Sequence, residues 1–202
     1  MMQENRQDTK TRILDTALRL FAISGVENVS MRDIADAVGI KAASIYNHYV
    51  KKEQIVDACY DFFIKYHDVG MLNMEQHTRI LQKETKEEIL NILTDHFPES
   101  MTDNSVYSMI VLFSRIYIDE KALERYTGLV NHSILFLKDF FDLGIKLGRF
   151  EEFNINGVAM LFFSARLFAA QSTTIHPEAL RDWGNAHQEM TSELINRIPF
   201  KY

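Results

Sequence analysis

The sequence holds a single cysteine, Cys59, so no disulfide can form within the chain, and a reducing cytosol suits it. Prolines number three (Pro98, Pro177 and Pro199), and β-branched alternation is scarce, which argues against sheet and for an all-α chain. The longest nearly apolar run, Val158 to Ala170, spans 13 residues and carries Arg166. A membrane span needs about 20, so no membrane is expected as a partner. The opening stretch, Met1 to Arg6, is polar and lacks the apolar centre of a signal peptide, which again points to the cytoplasm. There is no Gly-rich phosphate loop, nucleophile elbow or Cys-x-x-Cys pair. No catalytic constellation is left, so no enzyme is expected and no cofactor. His67 and His77 stand ten residues apart, and neither has a second ligand at the i+4 spacing of helical metal sites. The lone Cys59, on an apolar face, reads as buried filler.

What is present is an ordinary globular composition, 47% hydrophobic and 25% charged over 202 residues, enough for one or two domains. The net charge of −6 conceals an asymmetry. Residues 1–52 carry eight Lys/Arg against six Asp/Glu, and the remainder carries 14 against 22. A locally positive end on an acidic body can hold phosphates, because screening confines the field to about 8–10 Å.

The stretch Ser30 to Glu53 organises the chain. Met31, Ile34, Ala35 and Val38 repeat with a helical period, and Ser30 and Asp33 stand in the order of a capping pair. Gly39 follows, where positive φ lets the chain turn from one helix into the next. A second helix, from about Lys41 to Tyr49, buries Ile45 and Tyr49 one turn apart. Ala35, Gly39 and Ile45 then fill the three positions that fix a helix-turn-helix: a small residue at the crossing, a turn glycine and a branched closure. A helical hairpin inside an all-α core is the alternative reading of that spacing.

The continuation, Ile45-Tyr46-Asn47-His48-Tyr49-Val50-Lys51-Lys52-Glu53, resembles the end of the DNA-binding region of the TetR-like family of bacterial transcriptional regulators. Upstream, Ile13-Leu14-Ala17-Leu18-Phe21 and Gly25-Val26-Glu27-Asn28-Val29-Ser30 resemble the same family's first helix and loop. The resemblance covers roughly Thr9 to Ile55. Lys41 stands where the family usually has a Ser cap, Ala43 where it often has Gly, and His48 where many members have Tyr or Phe. These departures bear on which DNA sequence is read. The resemblance implies that Tyr46, His48 and Lys52 grip phosphates. Base-reading candidates are Arg32, Lys41, Ala43 and Ser44, with Ala42 and Asn47 on the same helix. For each, a solvated residue is the bland alternative. Arg32 can donate two bonds to a guanine edge, and Ala43 can touch a thymine methyl. Lys10 and Arg12 either meet phosphate or line a solvated face.

The division expected is 1–52, a helix-turn-helix DNA-binding domain, and 53–202, a helical effector-binding and dimerisation domain. A helix from Lys52 to about Val69 links the two. Gly70 to Lys83 reads as a loop or broken helix, Thr85 to Phe97 as a helix, and Val106 to Ile118 as a buried one. Lys121 to Leu147 follows as one helix or two, then a helix capped by Asn154 and another from His176 to about Ile198. Phe63, Tyr66, His67, Met71, Tyr107, Phe113, Tyr117, Phe136 and Phe140 are candidates to line a cavity for a flat or greasy effector, although such stripes also serve as plain core. The helix after Asn154 is apolar on more than one side, and the family resemblance implies that the last two helices build a homodimer interface. Met160, Phe163, Ser164, Phe168 and Trp183 are its candidates. The expectation is a homodimeric, ligand-responsive repressor on a palindromic double-stranded DNA operator. The runner-up is a helical small-molecule-binding protein or enzyme whose helix-turn-helix does not engage DNA.

Overall fold

A computed structural model describes residues 8–69, 74–86, 88–89, 103–175, 193 and 198–201. The chain divides into two compact units, Met1–Asp68 with Thr102–Thr127, and Val69–Met101 with Gly128–Tyr202. Both are helical, and among the described residues the only extended pairing is an isolated bridge between Phe150 and Phe200.

In the first unit, α1 (Thr9–Ser24) buries Ile13, Ala17, Leu18 and Phe21, the face its periodicity predicts. Burying each such side chain contributes about 1.5–3 kcal/mol. It stops at Gly25, whose φ of 79° suits a glycine and whose amide bonds the Phe21 carbonyl. A 3-10 turn, Val26–Asn28, leads to α2 (Met31–Val38). Here the expected cap forms in full. The Ser30 hydroxyl accepts from the Asp33 amide at 3.2 Å, and the Asp33 carboxylate accepts from the Ser30 amide at 2.8 Å. Gly39 then takes the left-handed conformation, φ 78° and ψ 34°, as the turn requires.

α3 (Ala42–Ile45) is shorter than the sequence suggests. Past Ile45 the backbone tightens, with Asn47 donating to the Ser44 carbonyl and His48 to that of Ile45, both i→i−3 bonds. The expected burial survives because the Tyr49 amide still reaches the Ile45 carbonyl at 3.0 Å, keeping the two side chains one turn apart. α4 (Lys52–Val69) follows. Its Cys59 is fully buried among apolar groups, and that burial pushes the thiol far above its ordinary value. α6 (Asp103–Phe113) packs on α1 and ends earlier than its apolar run suggests. Residues 114–118 turn instead of continuing, which leaves Tyr117 90% and Ile118 71% exposed.

In the second unit, α5 (Met74–Lys83) is a regular helix where the sequence suggests a loop or broken helix. Its buried face is His77, Ile80 and Leu81, an i, i+3, i+4 pattern hidden by treating the histidine as polar. Thr85 and Glu88 form a second capping box, which starts the expected next helix; most of that helix lies outside the described residues. α7 (Glu120–Lys146), whose residues up to Thr127 belong to the first unit, is one continuous helix, ended before Gly148 at φ 72°. α8 (Ile155–Ile175) is capped by Asn154, as expected, through its side-chain oxygen on the Gly157 amide at 3.0 Å. The core here is largely aromatic. Phe141 meets Phe140, Phe150, Phe153 and Phe162, and the Phe150 ring fills the space that a side chain at Gly144 would need. The expected helix from His176 to Ile198 falls almost wholly outside the described residues.

Candidate nucleic-acid interface

The interface candidate is the surface of α2, α3 and the start of α4, and the miniature core beneath it fixes its shape. Ile34, Ala35 and Ile45 are fully buried, and Val38 and Tyr49 nearly so. That core leaves Lys41, Ala42, Ala43, Tyr46 and Asn47 exposed, with Ser44 and His48 half-buried. Tyr46 is 52% exposed and Val50 71%, two large apolar surfaces side by side with the polar positions. Arg32, in the first turn of α2, points to solvent and makes only a loose i,i+4 pair with Asp36 at 3.8 Å. An exposed pair of that length contributes little, so the guanidinium is free to turn to another acceptor.

Three basic residues near this surface are committed internally, which residue type alone does not reveal. The Lys52 ammonium donates to the carbonyls of Val26 at 2.9 Å and Val29 at 3.1 Å, tying the start of α4 to the loop before α2. A third N–H remains for an outside acceptor. Arg12 donates to the Val38 carbonyl at 2.7 Å and so satisfies an open group at the end of α2. Lys10 lies over the Tyr49 ring, 5.5 Å from its centroid.

The same loop is held from a second direction. Arg115, in the turn after α6, donates to Glu27 at 2.6 Å and to Asp119 at 3.4 Å. Asp119 also accepts from the Tyr60 hydroxyl at 3.0 Å and from the amides of Lys121 and Ala122. Burial alone would raise the Asp119 carboxyl; Tyr60, the two amides and Arg115 outweigh it, and the net shift is downward. The Glu27 carboxyl is lowered by its hydrogen bond to Arg115 and by that residue's charge. Lys121 with Asp57 and Arg125 with Asp61 add two rungs between α7 and α4. Arg115, Asp119 and Tyr60 carry no DNA-binding signature in sequence, and only their packing shows them bracing the loop.

The effector candidates separate into two groups. In the first unit Phe63 meets Phe113 edge-on at 6.0 Å, Phe113 meets Tyr126 at 5.6 Å, and His67 lies tilted to Phe63 at 6.5 Å. Tyr66 and Tyr107 are half-buried in the same unit. Tyr117 is not among them, since the helix that would have carried it inward has ended. In the second unit Phe136 and Phe140 flank His77. Met71 lies outside the described residues. Of the dimer candidates, Met160 is 48% exposed and Ser164 is exposed, whereas Phe163 leans on the core of its own unit. Leu161, 52% exposed, lies beside them. The Phe168 side chain and Trp183 lie outside the described residues. Among the described residues no helix is long and apolar enough to cross a membrane.

Residues 13–59 match the family model described as bacterial regulatory proteins, tetR family. The HTH-type transcriptional repressor KstR2 of Rhodococcus jostii is 42% identical over 65 residues, 30% of this chain and 32% of that protein. The biofilm operon icaADBC HTH-type negative transcriptional regulator IcaR of Staphylococcus epidermidis is 39% identical over 61 residues, covering 28% and 33%. The chain thus spans about a third of the length of the curated relatives it matches. Among solved structures, NalD, the secondary repressor of the MexAB-OprM multidrug efflux pump in Pseudomonas aeruginosa, shares the fold with a TM-score of 0.68. Identity there is 18%, over 96% of this chain and 97% of that one.

Proposed function

We propose that this chain, whose residues 13–59 match the model of the tetR family of bacterial regulatory proteins, is a homodimeric, ligand-responsive transcriptional repressor. Residues 1–52 read a palindromic operator, and residues 53–202 bind the effector and dimerise. The observation that carries the reading is the exposed face of α3 on a completed helix-turn-helix, with Lys41, Ala42, Ala43, Tyr46 and Asn47 turned outward while Ile45 and Tyr49 close the core. Set in a major groove, that face presents its small side chains and Ser44 to base edges, with Arg32 beside it. Tyr46, His48 and the remaining N–H of Lys52 take phosphates. Two such units on one dimer reach successive grooves about 34 Å apart or somewhat more.

Dimerisation uses the uncovered face of α8, where Met160 and Ser164 lie one turn apart with Leu161 beside them. An apolar stripe of this kind marks an interaction surface. The effector is a small, largely apolar molecule, and it releases the operator. Within the first unit α4 carries Lys52 at one end and Phe63 and Tyr66 toward the other, so a shift at Phe63 reaches the loop that Lys52 holds. The effector must bind the two states unequally, because equal binding shifts nothing.

Selection of binding sites from a pool of random duplexes tests the reading. The expected product is an inverted repeat that the purified protein retards at nanomolar concentration. Retardation of no duplex, together with binding of small molecules, would instead favour a helical ligand-binding protein whose helix-turn-helix is structural.

A further inference from the structure

His77, on α5 in the second unit, is 2% exposed, and among the described residues neither ring nitrogen has a hydrogen-bond partner. Its ring meets Phe136 at 4.6 Å and Phe140 at 5.2 Å between centroids, close to perpendicular in both cases (70° and 84°). Ile80 and Leu81, on the same face of α5, belong to an entirely apolar core cluster. An uncharged imidazole carries one N–H donor and one acceptor nitrogen, and a buried group of either kind left bare is unfavourable. Burial holds this ring uncharged, lowering its pKa against the opposing pull of Asp139. Leucine or methionine would fill nearly the same volume without leaving two polar atoms bare. An unsatisfied pair of this kind requires an explanation, and a bound molecule that completes it is one.

We propose that His77, with Phe136 and Phe140 against its ring, is the polar anchor of an effector site in the second unit that takes an uncharged, largely apolar molecule bearing a hydroxyl group. The proposal rests on the effector-responsive reading above. A hydroxyl both donates and accepts, so it can complete either nitrogen whichever tautomer is present. Phe136 and Phe140, in contact with the His77 ring, make its surroundings apolar beside that single polar point, the usual composition of a small-molecule site. A carboxylate is disfavoured, because it would meet an uncharged ring with Asp139 near by.

The test compares 2-naphthol with naphthalene, which differ only in the hydroxyl, by calorimetric or fluorescence titration of the full chain. Wild type should prefer 2-naphthol by about tenfold or more, since a site built to bond a hydroxyl rejects the analogue lacking it. His77→Leu, or His77→Met should the branched side chain fail to pack, should bind the two within about twofold of each other and melt no lower than wild type. His77→Gln, which keeps a donor and an acceptor, should retain a preference of a few fold. No binding of either compound, equal affinity in wild type, or a preference that persists in the apolar variant would overturn the site. So would a marked fall in melting temperature in both apolar variants, because the ring would then be bonded within the fold. DNA retardation is measured separately. If 2-naphthol binds through His77 without altering DNA binding, the anchor stands and the effector reading falls.

Discussion

The two units differ in where their polar bonds gather. In the first, Arg12, Lys52, Arg115, Asp119 and Tyr60 all find partners, and most of those bonds converge on the loop from Val26 to Val29 or on the ends of α2. In the second, rings pack on rings around Phe141, and His77 sits among them with both nitrogens bare. A reading surface must keep several groups in register with a rigid duplex, and cross-bonding supplies that rigidity. A surface that must admit a variable apolar molecule gains from packing that is less directional, with one polar point to orient what enters. On this account the polar network of the first unit serves geometry and the buried His77 of the second serves recognition.

Truncating the centre of the aromatic core should do the most damage. Phe141→Ala should cost about 3–5 kcal/mol in chemical denaturation, the range for a large buried ring. The loss should appear in near-ultraviolet signals from the aromatic core while amides of α1 to α3 keep their chemical shifts. Equal disturbance of both regions would mean that they do not fold as separable units.

Breaking the proposed dimer comes next. Met160→Glu places a charge on the uncovered face of α8 without touching the monomer's own core, whereas Phe163 packs inward and its replacement confounds the two effects. Sedimentation should show monomers, and operator affinity should fall by about 10²-fold or more as the half-sites lose their linkage. A folded, unchanged dimer would move the interface off α8.

Two substitutions at the reading surface should differ in kind. Arg32→Ala should cost about 1–3 kcal/mol per half-site on the selected operator and little on random DNA. Lys52→Ala should weaken binding on every sequence and reduce the salt slope by about 1 in each subunit, as the loss of one proposed phosphate contact requires. It should also loosen the loop that its ammonium holds, visible as faster amide exchange near Val29. Similar losses on both DNAs for both variants would reverse the roles assigned to them.

Smaller effects should follow from the turn and the cap. Gly39→Ala forces a side chain into the left-handed region and should cost about 1–2 kcal/mol, with Gly39→Asn costing less. Ser30→Ala removes the N-cap bond and should cost about 1 kcal/mol in thermal or urea unfolding. The Ser30 bonds hold the Asp33 carboxyl below its ordinary value. That contribution is therefore present above the carboxyl's unfolded pKa and is lost as pH falls through its depressed folded value. Wild type should lose stability over that acidic window more steeply than Ser30→Ala, and parallel pH profiles would show that the cap does not form in solution.

How far these features are legible in the sequence follows from how local their causes are. The Ser30–Asp33 box, the Gly39 turn and the Asn154 cap depend on residues within four positions of one another, and residue type nearly determines them. The core faces of α1 and α2 follow from period alone. α5 is hidden because His77 counts as polar in any pattern, and only tertiary packing buries it. α3 ends early and α6 stops at Phe113 because backbone tightening into i→i−3 bonds leaves no mark on apolar spacing. The internal bonds of Lys52 and Arg12, and that of Arg115 to Glu27, span 23 to 88 positions, and no reading of side-chain type foretells them.

The most direct test of the central claim is the stoichiometry of the protein on DNA. Sedimentation velocity with a duplex carrying the selected inverted repeat, and with one carrying a single half-site, measures it in one experiment. The account predicts two chains on the inverted repeat and no stable complex on the half-site at the same concentration. One chain bound equally well to both duplexes would contradict it.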